Sequence, residues 1–181
     1  ALNTTMRSSQ RKSVVKLGVV GPKGAGKTTL ANALAAEDAP QGLAPGPYAE
    51  TVGVRILECE RPDGVRVELW DTGGSTEYES CWPAIMKDLA GVVIVYNPAN
   101  ESHVAESGAW YDFFVQKNGL ADDQCLVVAF SEQPQRRPRA AASLQHLNCV
   151  SLSPDDGPVL LQHFDRFLRG CLKHDATRDA K

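Results

Sequence analysis

The run Gly21-Pro22-Lys23-Gly24-Ala25-Gly26-Lys27-Thr28 combines glycines, a lysine and a hydroxyl in the spacing G-x-x-x-x-G-K-[ST]. Glycines let backbone amides approach an anion closely, Lys27 offers a cation to terminal phosphate oxygens, and the Thr28 hydroxyl is a hard ligand for Mg²⁺. The chemistry implied is the grip of a polyphosphate. Gly21, Lys23, Gly24, Ala25, Gly26, Lys27, Thr28 and Thr29 are its candidate contacts. A glycine turn with no ligand is the alternative, and the flanking elements weigh against it: an apolar run precedes the loop and an alanine-leucine run follows it.

Two further segments make sense beside such a loop. Asp71-Thr72-Gly73-Gly74 ends an alternating run, where the Asp71 carboxylate would face Mg²⁺ through a bound water and the Gly74 amide would meet a γ-phosphate. In Tyr48-Ala49-Glu50-Thr51-Val52-Gly53-Val54, Thr51 would add a second hydroxyl to the metal and Tyr48 a nucleotide contact. The metal set is therefore Thr28, Thr51 and Asp71. Taken singly, D-x-x-G is an ordinary turn and Thr51 the start of a strand; their order after the glycine loop gives them weight.

These residues need strands that end at loops and a helix that begins at one. Residues 13–20 (SVVKLGVV) read as the first strand, and Lys27 to Ala36 as a helix. A loop follows through Asp38, Pro40, Gly42, Pro45, Gly46 and Pro47. Residues 54–71 read as an antiparallel hairpin around the turn Arg61-Pro62-Asp63-Gly64, its second arm alternating Val65, Val67 and Leu69 with polar neighbours. GVVIVYN (91–97) and CLVVAF (125–130) are continuously apolar, as strands covered on both faces must be. Helices are expected over residues 76–87 and 103–117, and a shortened, exposed connection over SEQPQRRPRAAAS. A last strand near 147–152 precedes a helix that starts around Asp155-Asp156-Gly157-Pro158 and turns Leu160, Phe164, Phe167, Leu168 and Cys171 inward. The expected fold is α/β: a six-stranded, mostly parallel sheet with one antiparallel strand and helices on both faces. It occupies residues 13–173, with an arm at 1–12 and a polar tail at 174–181.

The bulk numbers agree with one domain of this kind. A chain of 181 residues, 43% hydrophobic and 23% charged, can bury roughly two thirds of its unfolded surface in one core. A net charge of -3 argues against nucleic acid and anionic membranes as partners, because both need a cationic face. The five cysteines lie apart without a CxxC pair, which favours buried thiols over disulfides or zinc. No stretch approaches the roughly 20 apolar residues of a membrane helix, and no prenylation box follows Cys171, so no membrane anchor is expected.

The glycine loop, Thr51 with Gly53-Val54, and Asp71 to Gly74 together resemble the Ras-like and Rab-type small GTPases over almost the whole chain. Closer still, TVGVRILE (51–58), ELWDTGG (68–74), ESCWPAIMKD (79–88) and GVVIVYN (91–97) look like the Rab-like GTPase subunit of the intraflagellar transport B complex. That resemblance implies GTP or GDP with Mg²⁺, residence in the cilium or flagellum, basal body and cytoplasm, and docking on a coiled-coil pair of subunits of that complex. Trp82, Pro83, Ile85 and Met86 would offer a docking face, or else pack on the sheet as any helix does.

Three departures from the family pattern shape the expected activity. Ser75 stands where relatives carry the glutamine that orients the attacking water, and Lys23 fills space that an incoming arginine would need; without both aids little hydrolysis remains. Phe130-Ser131-Glu132-Gln133 replaces the N-K-x-D box that reads the base. Ser131 and Glu132 are then the base-end candidates, Glu132 as acceptor for the guanine amide and amine, and Ser151-Leu152-Ser153 fits the loop whose amide meets the base oxygen. The expectation is a GTP-binding interaction module with slow or absent hydrolysis. The alternatives are a switch cycling between GTP and GDP, and a small-substrate kinase using Arg136, Arg137 and Arg139.

Overall fold

A computed structural model describes residues 14–36, 41–43, 46–61 and 64–178. Six strands form one sheet: β1 (Val14–Val20), β2 (Val54–Arg61), β3 (Val65–Thr72), β4 (Gly91–Tyr96), β5 (Cys125–Phe130) and β6 (Cys149–Leu152), in the order β2-β3-β1-β4-β5-β6. The β2–β3 pair is antiparallel and every other pairing is parallel. The Ras-like α/β architecture expected from sequence is the one observed. Pro62 and Asp63 of the expected turn, Ser13, the 1–12 arm, and Asp38, Pro40 and Pro45 lie outside the described residues.

The continuous apolar strands are explained by two cores. From β4, Val93 and Val95 join Leu30 and Leu34 of α1 (Lys27–Ala35) with Leu160 and Phe164 of α4 (Gly157–Arg178). The alternate residues Val92, Ile94 and Tyr96 join Ile85 of α2 (Trp82–Met86) with Trp110 of α3 (Glu101–Tyr111) and Phe114 just beyond it. Every residue of β4 is buried, so a polar side chain would find no wet face anywhere along it. Phe114 and Phe164, both fully buried, each contribute about 2–3 kcal/mol of burial.

Local chemistry shifts several boundaries. The Asn100 side chain accepts from the backbone N–H groups of Ser102 and His103, so α3 begins at Glu101 rather than at 103. It ends in a π turn, Asp112–Gln116. The helix expected over 76–87 is a 3-10 turn, Thr76–Cys81, capped by Ser75, followed by the five-residue α2. Pro83 has no N–H to continue a longer α-helical ladder and sits in the first turn of α2, where none is needed. The last helix continues to Arg178, through the stretch read as a tail.

β1 is the point where the chain reverses: it is followed by β2 and β3 on one side and by β4 on the other. In open α/β sheets the crevice at such a point, outside the strand carboxyl ends, is where ligands bind. The glycine loop leaves β1 there.

Candidate functional site

The glycine loop owes its shape to positions where no side chain fits. Gly21 has φ 142° and a Cβ would collide with the Val95 carbonyl; Gly26 has φ 96° and a Cβ would lie 2.5 Å from the Phe130 ring. Gly26 caps α1 without a side-chain bond, so the first amides of that nine-residue helix stay free for an anion. Lys27 lies beneath the loop, donating to the Pro22 carbonyl at 2.7 Å; burial lowers its pKa from 10.5 to about 8. An anion seated on the loop would offset that desolvation.

The three residues assigned to the metal meet. Thr28 Oγ1 lies 3.0 Å from Thr51 Oγ1 and donates to Asp71 Oδ2 at 2.8 Å. Asp71 is fully buried, and its Oδ1 has no partner among the described residues. An orphaned carboxylate oxygen beside two hydroxyls suits a hard cation that reaches Asp71 through a bound water, so Mg²⁺ fits this donor set. Burial raises the Asp71 carboxyl above its usual range; Thr28, Arg55 and Lys27 oppose this. A Cβ on Gly74 would collide with the Lys23 amide and lie 2.6 Å from Lys27 Nζ, so the D-x-x-G segment abuts the loop as expected. The Ser75 hydroxyl accepts from the Glu77 N–H at 3.3 Å, a local cap that ties this side chain into its own turn.

Around these groups opens a cleft of about 490 Å³. Residues 23–29, Tyr48, Thr51, Gly74, Ser131 and Glu132 line it, together with Asn32, Leu43, Glu50, Asn97, Phe130 and Pro154, which the sequence did not flag. At the far end the Leu43 N–H donates to the Pro154 carbonyl, closing a rim. Ser131 Oγ is turned to the Gln133 carbonyl at 3.0 Å, while Glu132 is exposed at the opening.

Two expected contacts lie outside the cleft lining. The Ser151 hydroxyl accepts from the Gln135 N–H at 3.1 Å, and neither it nor Leu152 lines the cleft. Leu152 is fully buried and its carbonyl accepts from Ser131 N–H, so it belongs to the sheet. Of the two readings of the short helix, packing on the sheet is the one observed for its large side chains. Trp82 and Ile85 are buried, Trp82 with its ring centroid 4.7 Å from Trp110 and 4.8 Å from Phe113, leaving Pro83 exposed and Met86 half-buried. The helix packs on the sheet with its large apolar groups. Arg136, Arg137 and Arg139 are exposed and away from the cleft, Arg139 pairing with Glu101 at 3.2 Å, which removes the support for a kinase.

Two charged residues went unnoticed. Arg55 of β2 donates to Asp71 Oδ2 at 3.1 Å and to Asn32 Oδ1 at 2.8 Å, joining β2, β3 and α1 at the metal position. Glu50 pairs with Lys23 at 2.7 Å, and that bond raises the lysine above its usual range. A carboxylate just before Thr51 was the available signal for Glu50; for Arg55 the signal was the hairpin register, which sets it opposite Asp71.

A nucleotide-sized cleft, a glycine loop and a D-x-x-G segment on this sheet order place the chain among the Ras-like small GTPases. The family model described as "Ras of Complex, Roc, domain of DAPkinase" matches residues 16–132. The chain belongs to the intraflagellar transport protein 22 family, whose members serve the cilium or flagellum. It is 38% identical over 167 residues to the Danio rerio homologue, covering 85% of this chain and 88% of that protein. The Homo sapiens homologue is 39% identical over 171 residues, covering 87% and 89%. Among solved structures, the GTP-bound T. brucei IFT22/74/81 structure superposes with TM-score 0.74 at 28% identity, covering 92% of this chain and 99% of that one. The GDP-bound T. brucei IFT22 structure gives 0.64 at 26%, covering 87% and 97%.

Proposed function

We propose that this chain holds GTP with Mg²⁺ on Thr28, Thr51 and Asp71, hydrolyses it slowly or not at all, and acts as a nucleotide-stabilised interaction module of the intraflagellar transport complex. The observation that carries this reading is the convergence of those three side chains over the glycine loop while Ser75 is tied into its own turn. Free amides at the start of α1 and Lys27 hold the phosphates, and Mg²⁺ when bound neutralises their charge. Ser75, tied into its own turn, offers no carboxamide to orient a water for in-line attack, a task that otherwise falls to a glutamine. The partners proposed are coiled-coil subunits of the complex, in keeping with the T. brucei structure that contains IFT22 with 74/81.

Two measurements on purified protein test this. Chromatography of the nucleotide released on denaturation is expected to show GTP, and single-turnover cleavage is expected to be slower than a stimulated GTPase by about 10³-fold or more. Bound ATP would overturn the guanine reading; resident GDP with rapid cleavage would establish the cycling switch instead.

A further inference from the structure

The loop that carries Thr51 has little to hold it. Tyr48 is 68% exposed and Val52 77%, and residues 46–50 are all exposed. A segment so open costs conformational entropy to order, and ordering it falls to a few specific contacts. One is the Thr51–Thr28 approach at 3.0 Å. A second is the Gly73 N–H donating to the Gly53 carbonyl at 2.7 Å just beyond Thr51. A third precedes Thr51 by one residue: Glu50 Oε2 lies 2.7 Å from Lys23 Nζ. Lys23 is a sound anchor for that bond. Its backbone is wedged against Gly74, where a Cβ would collide, and faces His103 on α3. A fixed point on the phosphate loop therefore reaches across the cleft to the residue next to Thr51.

The geometry points to Lys23 and Glu50 as a positioning pair that biases this site toward triphosphate over diphosphate. Thr51 engages the metal only when a γ-phosphate is present, so holding Glu50 in place keeps Thr51 where a triphosphate complex needs it. A diphosphate complex makes no use of Thr51 and gains nothing from the pair. Both side chains are partly exposed, which limits the effect to the few-fold range of surface ion pairs and makes it sensitive to salt. The inference rests on the cleft being a GTP and Mg²⁺ site. It changes what Lys23 does: the ammonium acts on the loop through Glu50 and is not simply another phosphate ligand.

The test compares dissociation of a fluorescent, non-hydrolysable GTP analogue and of a fluorescent GDP, with Mg²⁺, from wild type, Lys23→Ala, Glu50→Ala, the double variant and Lys23→Arg. Each single alanine variant is expected to release the GTP analogue about two- to fivefold faster, with GDP release unchanged. The double variant should be no faster than the faster single, Lys23→Arg should behave as wild type, and about 1 M salt should erase the differences. If Lys23→Ala speeds release while Glu50→Ala does not, the lysine acts on phosphate directly and the pair is refuted. Equal acceleration of GTP and GDP would make it merely structural and refute it too. Should wild type bind neither guanine nucleotide, the reading of the cleft itself fails; normal wild-type binding with inert variants overturns the pair alone.

Discussion

The two ends of the cleft are built on different principles. At the phosphate end the chain is buried and over-determined: Gly21 and Gly26 abut Val95 and Phe130, Lys27 is 6% exposed, and Asp71 is fully buried. At the base end Glu132 is exposed, Ser131 is turned to its own turn, and the rim is closed by a backbone bond between Leu43 and Pro154. Binding a polyphosphate demands particular residue types, because only a missing side chain lets the backbone come close. Enclosing a flat base demands a shape, which many sequences can supply.

The hardest way to break this contrast is to give the phosphate end a side chain. Gly21→Ala would carry a positive φ that L-residues rarely adopt and press its methyl into the Val95 carbonyl of the central strand. Strain and overpacking together should cost about 3 kcal/mol or more, read as a lower denaturation midpoint, and abolish detectable nucleotide binding. Near-normal stability and affinity would mean the loop is far less constrained than its contacts imply.

The contrast also accounts for what could be read in the sequence. The phosphate loop, Thr51 and Asp71 to Gly74 stand out in the sequence because close backbone approach and metal ligation restrict residue type, and the structure gathers them at one end of the sheet; the sheet itself is legible because β4 and β5 are apolar without alternation. Ser151 and Leu152 are the least legible of the candidates, because a base contact through a backbone amide leaves no mark on side-chain identity. For Trp82 and Ile85 the sequence leaves a docking face and sheet packing both open, because a run of apolar residues on a short helix does not reveal which side is covered; the contact of Trp82 with Trp110 and Phe114 decides for packing. Glu50 and Arg55 were missed for a related reason. Lys23 is distant from Glu50 in sequence and meets it only across the folded cleft, whereas Arg55 meets Asp71 as its direct cross-strand partner in the hairpin, a pairing that the turn fixes but that residue types do not mark.

A subtler probe asks whether the open end discriminates at all. Glu132→Ala removes the exposed carboxylate proposed to accept from guanine, at a cost of about 1–1.5 kcal/mol, close to tenfold in GTP affinity. ATP affinity should stay as it was, because the phosphate end does not distinguish bases. Equal losses for GTP and ATP would show that Glu132 shapes the cleft without reading its occupant, leaving specificity to Phe130 and the rim.

The smallest effect concerns acid, and it separates the ends by titration. His103 is 8% exposed behind the phosphate loop, its Nδ1 accepting from Asn97 N–H at 3.3 Å. Burial lowers its pKa from 6.5, with Lys27 acting the same way and Glu106 and the Lys23 backbone opposing them. Above pH 6.5 the ring is neutral in both folded and unfolded chains. As pH falls through that value the unfolded chain takes up a proton that the folded one resists, so stability declines until the lowered folded value is reached. The loss is expected to be about 1 kcal/mol or less over the first pH unit, since one proton changes stability by at most about 1.4 kcal/mol per unit. Denaturant midpoints for wild type and His103→Gln between roughly pH 5 and 8 should therefore converge toward acid, because the variant lacks this proton uptake. Asn97 lines the cleft, so the same acid range should loosen the phosphate end first. Parallel midpoint curves would mean that His103 takes its proton as readily in the folded protein as in the unfolded chain, and the phosphate end would lose its claim to be the more tightly enclosed of the two.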